Sequence, residues 1–362
     1  MLKVFKPEVC KTPIGVRVQA KFVAGGQEDI LWYEVDKKYA DYLVHERADG
    51  FVVGLLWYAL THGHDIEVLS PMSERLYYTL NKYLSPLIAQ VHGCKTTNIM
   101  CDQLDHEPFR NQGAVGTGLS CGIDSFSTIY DHMGDDTPDH FKITHFTFFN
   151  VGSHGGYGGK KALNLFKQRA EVVKSCANQL GKELILLNSN LSEILQLRFQ
   201  PTHTLRSISG VLVLQKLFNI YYYSSGVHAK YFELTKKDMA YYDIFNLNML
   251  STESLTLFSS GAAYTRLEKT RRVAEFEPSY KYLNVCVSQG LNCGKCFKCK
   301  KTLLTLELLG KIDNYFSVFD LDAYYKEKQQ YINYVIANKN SDDPHLRDIY
   351  REMIRTNFLS KT

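Results

Sequence analysis

The chain of 362 residues has no apolar run long enough to cross a membrane, because its longest such stretch, 51–60, is about half of what a spanning helix needs. The N-terminal sequence MLKVFKPEVCKTP lacks the apolar core of a signal peptide. A formal net charge of +4 also falls short of the strong basic excess of a dedicated nucleic-acid binder. These absences favour a cytoplasmic globular protein and argue against membranes and nucleic acid as partners.

The nine cysteines are an odd number, which does not suit a complete disulfide framework. Four of them fall within fourteen residues, as Cys286, Cys293, Cys296 and Cys299, and the others are interpreted as buried thiols in a reducing compartment. Two overlapping C-x₂-C motifs allow the thiolates of Cys293, Cys296 and Cys299 to bind one ion. Cys286, from the preceding segment, can supply the fourth ligand. Four sulfurs suit a closed, structural Zn²⁺ site, with an iron–sulfur cluster as the chemical alternative.

The first 110 residues read as an α/β unit without repeats or low-complexity segments. The pattern predicts a hairpin at 14–35, a helix at 47–63, a strand in HDIEVLS, a helix with Pro71 in its first turn and a strand at 97–104. The polar, turn-rich segment DHEPFRNQG follows. We therefore place a domain boundary there, with an N-terminal α/β domain of unknown role at 1–110.

Strands and helices alternate from residue 111 onward. Short apolar strands such as AVGTGLS, KITHFTFFNV and ELILLNS are separated by predicted helices, among them 160–180 and 206–219. Such alternation predicts a parallel sheet covered by helices on both faces. We assign this pattern to a second domain at 111–310, which carries the cysteine cluster at 286–299. A C-terminal extension at 311–362 is expected to form surface helices.

A phosphate-binding turn is predicted at 118–125, GLSCGIDS, between the first strand of the second domain and the following helix. A turn in that place presents backbone N–H groups and the positive end of the helix dipole to an anion. Ser120 and Ser125 add hydroxyl donors, whereas Asp124 would repel phosphate unless a cation lies between them, which points to Mg²⁺. The simpler alternative is that Asp124 or Ser125 only caps the helix.

This turn resembles the SGGxDS signature of the PP-loop ATP pyrophosphatases. Ser120, Gly122, Asp124 and Ser125 match it, and Cys121 replaces the first glycine. Together with the cysteine cluster, the turn resembles the 7-cyano-7-deazaguanine synthase branch over roughly residues 112–310. The resemblance implies a Rossmann-type PP-loop core that binds ATP and zinc. It also implies an AMP-forming reaction in which a substrate carboxyl or amide oxygen is adenylated and nitrogen is then transferred.

Further site residues follow from the resemblance and from the neighbouring loops. The nucleotide is expected on 120–125, with Ile123 and Cys121 contributing backbone, and the adenine near Phe149 and Asn150. Lys160, in the glycine-rich loop SHGGYGGKK, and Lys269 are candidate phosphate ligands. Asp124, Ser125 and Arg206 are candidate catalytic residues. Each of these roles has a structural alternative. Phe149 could be a core residue, the loop around Lys160 could be a plain surface loop, and Arg206 could be an ordinary arginine at a helix start.

Two other functions remain open at this point. A sulfur-inserting PP-loop enzyme would need a persulfide cysteine, for which Cys121 and Cys176 are candidates. A non-catalytic nucleotide sensor would use the cysteine knuckle as a docking surface. For the enzyme, the expected partner is a small molecule with a carboxylate or a modified base. The oligomeric state is open, a homodimer included.

Overall fold

The structure, a computed structural model, describes residues 1–286 and 292–360. The strands of this part of the chain are β1 (Leu2–Phe5), β2 (Glu8–Lys11), β3 (Val16–Ala24), β4 (Gln27–Val35), β5 (Ile66–Leu69), β6 (Met72–Ser73), β7 (Ile99–Cys101), β8 (Leu104–Asp105), β9 (Ala114–Gly118), β10 (His145–Asn150), β11 (Glu183–Ser189), β12 (Phe218–Ser224) and β13 (Thr256–Ser260). The helices are α1 (Asp49–His62), α2 (Glu74–Thr79), α3 (Ser85–His92), α4 (Ile123–Met133), α5 (Gly159–Gln179), α6 (Leu191–Leu195), α7 (His203–Leu212), α8 (Asp243–Leu250), α9 (Arg266–Val273), α10 (Pro278–Tyr282), α11 (Phe297–Leu308), α12 (Leu321–Ala337) and α13 (Pro344–Arg355).

Eleven strands form one sheet in the order β13-β12-β9-β10-β11-β4-β3-β1-β5-β7, with β2 paired to β3. The five strands from β13 to β11 are mutually parallel. The hairpin of β3 and β4 joins this parallel part through an antiparallel pairing of β4 with β11. Segments on both sides of the predicted boundary at 110/111 therefore contribute to a single sheet. The prediction of an α/β fold with a large, mostly parallel sheet flanked by helices is confirmed.

The parallel part of the sheet has the doubly wound order in which the first strand lies at the centre. Along the chain, β9, β10 and β11 extend in one direction, and the chain then crosses back so that β12 and β13 lie on the other side of β9. The crossing makes the carboxyl ends of β9 and β12 a topological switch point. Ligands of such sheets bind in the crevice outside the strand ends at that point. The loop that follows Gly118 therefore lies where a ligand is expected.

Apolar side chains on the two faces of the sheet form two buried clusters. In β3 buried and half-buried residues alternate along the whole strand, so that one face packs inward. α1 and α7 contribute to the cluster on one face, and α4, α5 and the C-terminal helices contribute to the cluster on the other. Within the described residues, every helix is too short or too polar to cross a lipid bilayer.

Three expectations about individual elements are wrong. The helix expected from Pro71 onward begins at Glu74, where Ser73 caps it, and a π-helical turn at Leu80–Leu84 divides it before Pro86, which has no N–H to donate. The helix expected at 206–219 is α7, which ends at Leu212. The C-terminal segment forms helices, but these are not confined to the surface, because residues such as Tyr324, Ile349 and Met353 are buried in the core.

Candidate functional site

A cleft of about 820 Å³ opens at the switch point of the sheet. Its walls come from the loops that follow β9, β10 and β12, from the start of α9 and from the C-terminal helices α11 and α13. The turn 120–124 forms part of the wall. The cleft thus combines the predicted phosphate turn with side chains from segments that are distant in sequence.

The turn is held by hydrogen bonds of its own serines. The Ser125 hydroxyl donates to the Gly118 carbonyl oxygen (2.7 Å) and accepts from the Ser120 backbone N–H (3.2 Å). Gly122 is the N-cap residue of α4, and no side chain among the described residues caps that helix. The alternative that Asp124 or Ser125 is the cap is therefore wrong. The first N–H groups of α4 have no side-chain acceptor as a cap, which is the arrangement that binds anions at helix N-termini.

Cys121 adopts a left-handed backbone conformation, with φ of 57°. A glycine has no steric cost in this region, whereas a side chain costs about 1 kcal/mol or more, so glycine would suit position 121 better than cysteine does. The Cys121 side chain is buried against Cys176, and a hydrogen bond with that thiol, together with burial, raises the pKa of Cys121 well above its usual value. Cys121 is therefore a protonated thiol at neutral pH.

Asp124 is paired with two cationic side chains of α9. Arg266 Nη1 lies 2.5 Å from Asp124 Oδ2, and Lys269 Nζ lies 3.4 Å from Oδ1. Burial by itself would raise the pKa of Asp124, but the charges of Arg266 and Lys269 outweigh it and leave that pKa below its usual value. The protein itself thus supplies cations beside this carboxylate. The presence of Asp124 is consequently no longer an argument for Mg²⁺ by itself.

Several ionisable residues of the cleft were not found by sequence reasoning. Arg169, Arg266, Lys298, Lys301 and His345 all line it. Burial and the neighbouring charges of Lys301 and Arg266 lower the pKa of His345 to about 3, so this imidazole is neutral at pH 7. The capping box of Thr265 and Glu268, T-x-x-E, is a sequence signal for the start of α9 and so for the placement of Arg266.

Other predicted residues lie away from the cleft surface. Phe149 is buried, and its ring packs against Gly210, while the Asn150 side-chain amide donates to Asn188 Oδ1 (2.8 Å). Phe148, and not Phe149, contributes to the cleft wall. Lys160 is exposed in the first turn of α5 and is not among the residues that line the cleft. Lys269 is buried behind Asp124 and donates to the Ser225 carbonyl oxygen (2.5 Å).

Arg206 is buried under the loop that follows β10 and is likewise not among the cleft-lining residues. Burial lowers the pKa of Arg206 to about 10, so the guanidinium remains charged at pH 7. It donates to the carbonyl oxygens of Val151, Gly156 and Leu197 and to the hydroxyls of Ser192 and Thr202. In this structure, the guanidinium holds the glycine-rich loop in place.

The four cysteines of the predicted metal site converge. The sulfur atoms of Cys286, Cys293, Cys296 and Cys299 all lie within 4.8 Å of one another, with 3.6 Å between the first two. A tetrahedral zinc ion with Zn–S bonds of about 2.3 Å needs sulfur separations of about 3.8 Å, so the cluster fits this ion. Gly294 has φ of +67°, and a Cβ there would lie 2.7 Å from the Asp320 carbonyl oxygen, so glycine is required in the knuckle.

The cysteine cluster adjoins the phosphate turn. The Asn284 backbone N–H donates to the Cys121 carbonyl oxygen (2.8 Å), two residues before Cys286. The Arg169 guanidinium donates to the Cys286 carbonyl oxygen (3.2 Å). α11 begins at the knuckle and carries Lys298 and Lys301 into the cleft. The knuckle therefore positions one wall of the cleft.

Comparison with known proteins yields no match, whether against family models, curated proteins or solved structures.

Proposed function

We propose that this chain is an AMP-forming ATP pyrophosphatase that activates a carboxyl or amide oxygen of a small substrate by adenylation and then transfers nitrogen to it. One observation carries the proposal. The turn 120–125, with its uncapped helix N-terminus, lies at the switch point of a doubly wound sheet and faces a cluster of cationic side chains. This arrangement suits a polyphosphate.

The charges of the cleft support the first half of the reaction. Arg266, Lys298 and Lys301 supply positive charge around the turn, and the N–H groups of α4 are fixed in place before the ligand arrives. Preorganised donors of this kind stabilise the charge that develops when a substrate oxygen attacks the α-phosphate and pyrophosphate leaves. Mg²⁺, bound with the nucleotide, would add neutralising charge on the phosphates. Zinc on the four cysteines would have a structural role.

The thiolation alternative receives less support. A persulfide carrier needs an accessible thiol that ionises readily. Cys121 is buried and its pKa is raised, and Cys176 is buried in the core. Only a test for turnover distinguishes a nucleotide sensor from an enzyme. The pairing of Asp124 with Arg266 and Lys269 is equally compatible with a site that binds a nucleotide without reacting with it.

The test is ATP–pyrophosphate exchange across a panel of carboxylate metabolites and modified bases, with product analysis. We expect AMP and pyrophosphate; release of ADP and phosphate would contradict the proposal, and ATP binding without turnover would favour the sensor. Cys121→Gly should preserve the exchange, because glycine suits a φ of 57°. Loss of activity in this variant with retained ATP binding would favour thiolation instead.

A matched pair of lysine variants tests the anion site. Lys301 lines the cleft, whereas the adjacent Lys300 forms an ion pair with Glu327 and is not among the cleft-lining residues. Lys301→Met should weaken the binding of inorganic pyrophosphate about tenfold, and Lys300→Met should leave it unchanged. Equal effects of the two substitutions would mean that the anion binds elsewhere or by net charge alone.

A further inference from the structure

A second group of charged side chains lies in the same cleft, away from the phosphate turn in sequence. His203 begins α7, Asp238 precedes α8 and Asp243 is the first residue of α8. Tyr223, near the end of β12, completes the group, and all four side chains line the cleft. We call Asp238, His203 and Asp243 the acidic cluster.

Hydrogen bonds fix the geometry of the acidic cluster. His203 Nε2 lies 3.0 Å from Asp238 Oδ1, and His203 Nδ1 lies 2.5 Å from the Tyr223 hydroxyl. The Thr204 hydroxyl donates to Asp243 Oδ1 (2.5 Å). Burial alone would lower the pKa of His203, but Asp243 and Asp238 outweigh it and hold that pKa above its usual value. The two carboxylates thus make His203 easier to protonate than a free imidazole, and in the protonated form both ring nitrogens donate.

The cluster contains two carboxylates, Asp238 and Asp243, beside the single imidazole of His203. The charges and donors that act on Asp243 are His203, Asp238, Lys269 and the Thr204 hydroxyl. Of these, Lys269 is already engaged by Asp124 and by the Ser225 carbonyl oxygen. The charge of Lys298, on α11, also acts on Asp238, so lysines outside the cluster offset part of its negative charge.

Asp243 also has an oxygen that no hydrogen bond satisfies. The residue is only 1% exposed, and its Oδ2 atom is buried without a hydrogen-bond partner within the described residues. Buried acceptors in folded proteins are nearly always paired, so an unpaired carboxylate oxygen on a residue of the cleft wall indicates a missing donor. The Ser224 hydroxyl, on another cleft-lining residue, is likewise buried and unpaired.

We propose that the acidic cluster binds a primary ammonium group, which is the nitrogen donor of the reaction. This inference rests on the proposed function and adds to it a donor class and three residues. An ammonium brings N–H donors and one positive charge to Asp243 Oδ2. A persulfide or thiolate donor would instead meet two carboxylates and be repelled.

The position of the cluster suits nitrogen transfer. Asp124 of the turn and Asp243 of the cluster line the same cleft, and Lys269 forms an ion pair with Asp124. In the transfer step, the ammonium gives one proton to the Asp243 carboxylate, and the nitrogen lone pair forms a bond to the activated carbon. The bond from that carbon to the AMP oxygen breaks, AMP leaves with the electron pair, and its phosphate takes up the second proton of the nitrogen, so that a neutral amide remains.

The first test is binding, and it requires no turnover. Methylammonium chloride is titrated by calorimetry into the native chain, into Asp243→Asn and into the surface control Asp102→Asn, with tetramethylammonium chloride as a salt of equal charge without N–H groups. We expect methylammonium to bind the native chain and the control alike, and Asp243→Asn about tenfold more weakly. Equal binding by Asp243→Asn, or equal binding of tetramethylammonium, would overturn the proposal.

The second test separates this inference from the proposed function. In Asp243→Asn, ATP–pyrophosphate exchange should persist, because that half-reaction does not use the amine. In the transfer reaction, the KM for the amine should rise about tenfold and kcat should fall, because asparagine cannot accept the proton. An unchanged KM with normal exchange would overturn the ammonium site and leave the proposed function standing. Absence of exchange in the native chain would overturn the proposed function, and the binding test would still decide whether the cluster takes ammonium. Should Asp243→Asn fail to fold, Asp238→Asn, at a partly exposed position, is the substitute and should raise the KM severalfold.

Discussion

Replacing Arg206 by methionine should lower the stability of the chain rather than act on a reacting group. Methionine keeps much of the length and apolar bulk of arginine but donates no hydrogen bond. The guanidinium now donates to the carbonyl oxygens of Val151, Gly156 and Leu197 and to two hydroxyls, and it is not among the residues that line the cleft. The substitution therefore removes the donors that hold the glycine-rich loop against the sheet.

The size of the effect follows from the acceptors that remain. A buried polar group left without a partner costs about 1–3 kcal/mol, and three carbonyl oxygens are affected, but the loop can relax and admit water. We expect a total loss of about 3–5 kcal/mol, in the lower half of the sum for three such acceptors. For 362 residues, the entropy of unfolding is roughly 0.8 kcal/mol/K, so the melting temperature should fall by about 4–6 °C.

Thermal unfolding of Arg206→Met, followed by calorimetry beside ATP–pyrophosphate exchange, measures the effect. Arg351→Met, at a position with a largely exposed side chain, is the matched control and should melt like the native chain. Gly152→Ala should damage the same loop, since φ is +127° there and a Cβ would lie 2.7 Å from Arg206 Nη1. An Arg206→Met chain that melts within about 1 °C of the native chain but lacks exchange activity would refute this reasoning and favour a catalytic role.

Two further predictions concern the metal and the pH dependence. Elemental analysis should find about one zinc per chain and no iron chromophore, and Cys296→Ser should lower the soluble yield; a folded, metal-free chain would contradict this. Burial raises the pKa of Asp243 to about 6, against 3.8 for the unperturbed acid, although His203 opposes the rise. The folded chain then holds this proton more tightly than the unfolded chain, so stability should fall by on the order of 3 kcal/mol as pH rises from about 4 to about 6. Asp243→Asn should flatten that slope in denaturant titrations, and an unchanged slope would exclude Asp243 as its source.

Local patterns in the sequence were sufficient for much of the fold. The alternation along β3, the glycine after α5 and the strand before the phosphate turn all have local causes, and the structure has each of these features. The spacing of the four cysteines likewise predicted their convergence. The C-terminal helices were misjudged because Tyr, Lys and Asp dominate their composition. The apolar stripe of Leu346, Ile349 and Met353, at helical spacing, was the better signal.

Most of the cleft was not predictable because its charges meet only through the topology. Asp124 and Arg266 are 142 residues apart, and no local pattern relates them. His345 reaches the cleft from a helix that closes over it from the C-terminal extension. The pairing of Asp124 also changes an inference drawn from residue chemistry alone. From the sequence alone, Asp124 beside a phosphate site indicated Mg²⁺, because its protein partners Arg266 and Lys269 were not known.

The pairing of Lys269 determines how the two ends of the cleft divide their tasks. Its ammonium is buried between Asp124 and the Ser225 carbonyl oxygen, so moving it toward a ligand would leave the Asp124 carboxylate with only Arg266. Lys269 therefore acts through its fixed positive charge. This charge is paired with Asp124 of the turn and also interacts with Asp243 of the acidic cluster. Lys298 and Lys301 lie three residues apart on one face of α11, and among the described residues they are the lysines that line the cleft, so they can reach a phosphate there. This distribution of charge favours an anion at the turn and a cation at α8. The proposed reaction needs that arrangement, with the nucleotide phosphates at the turn and the attacking amine at α8.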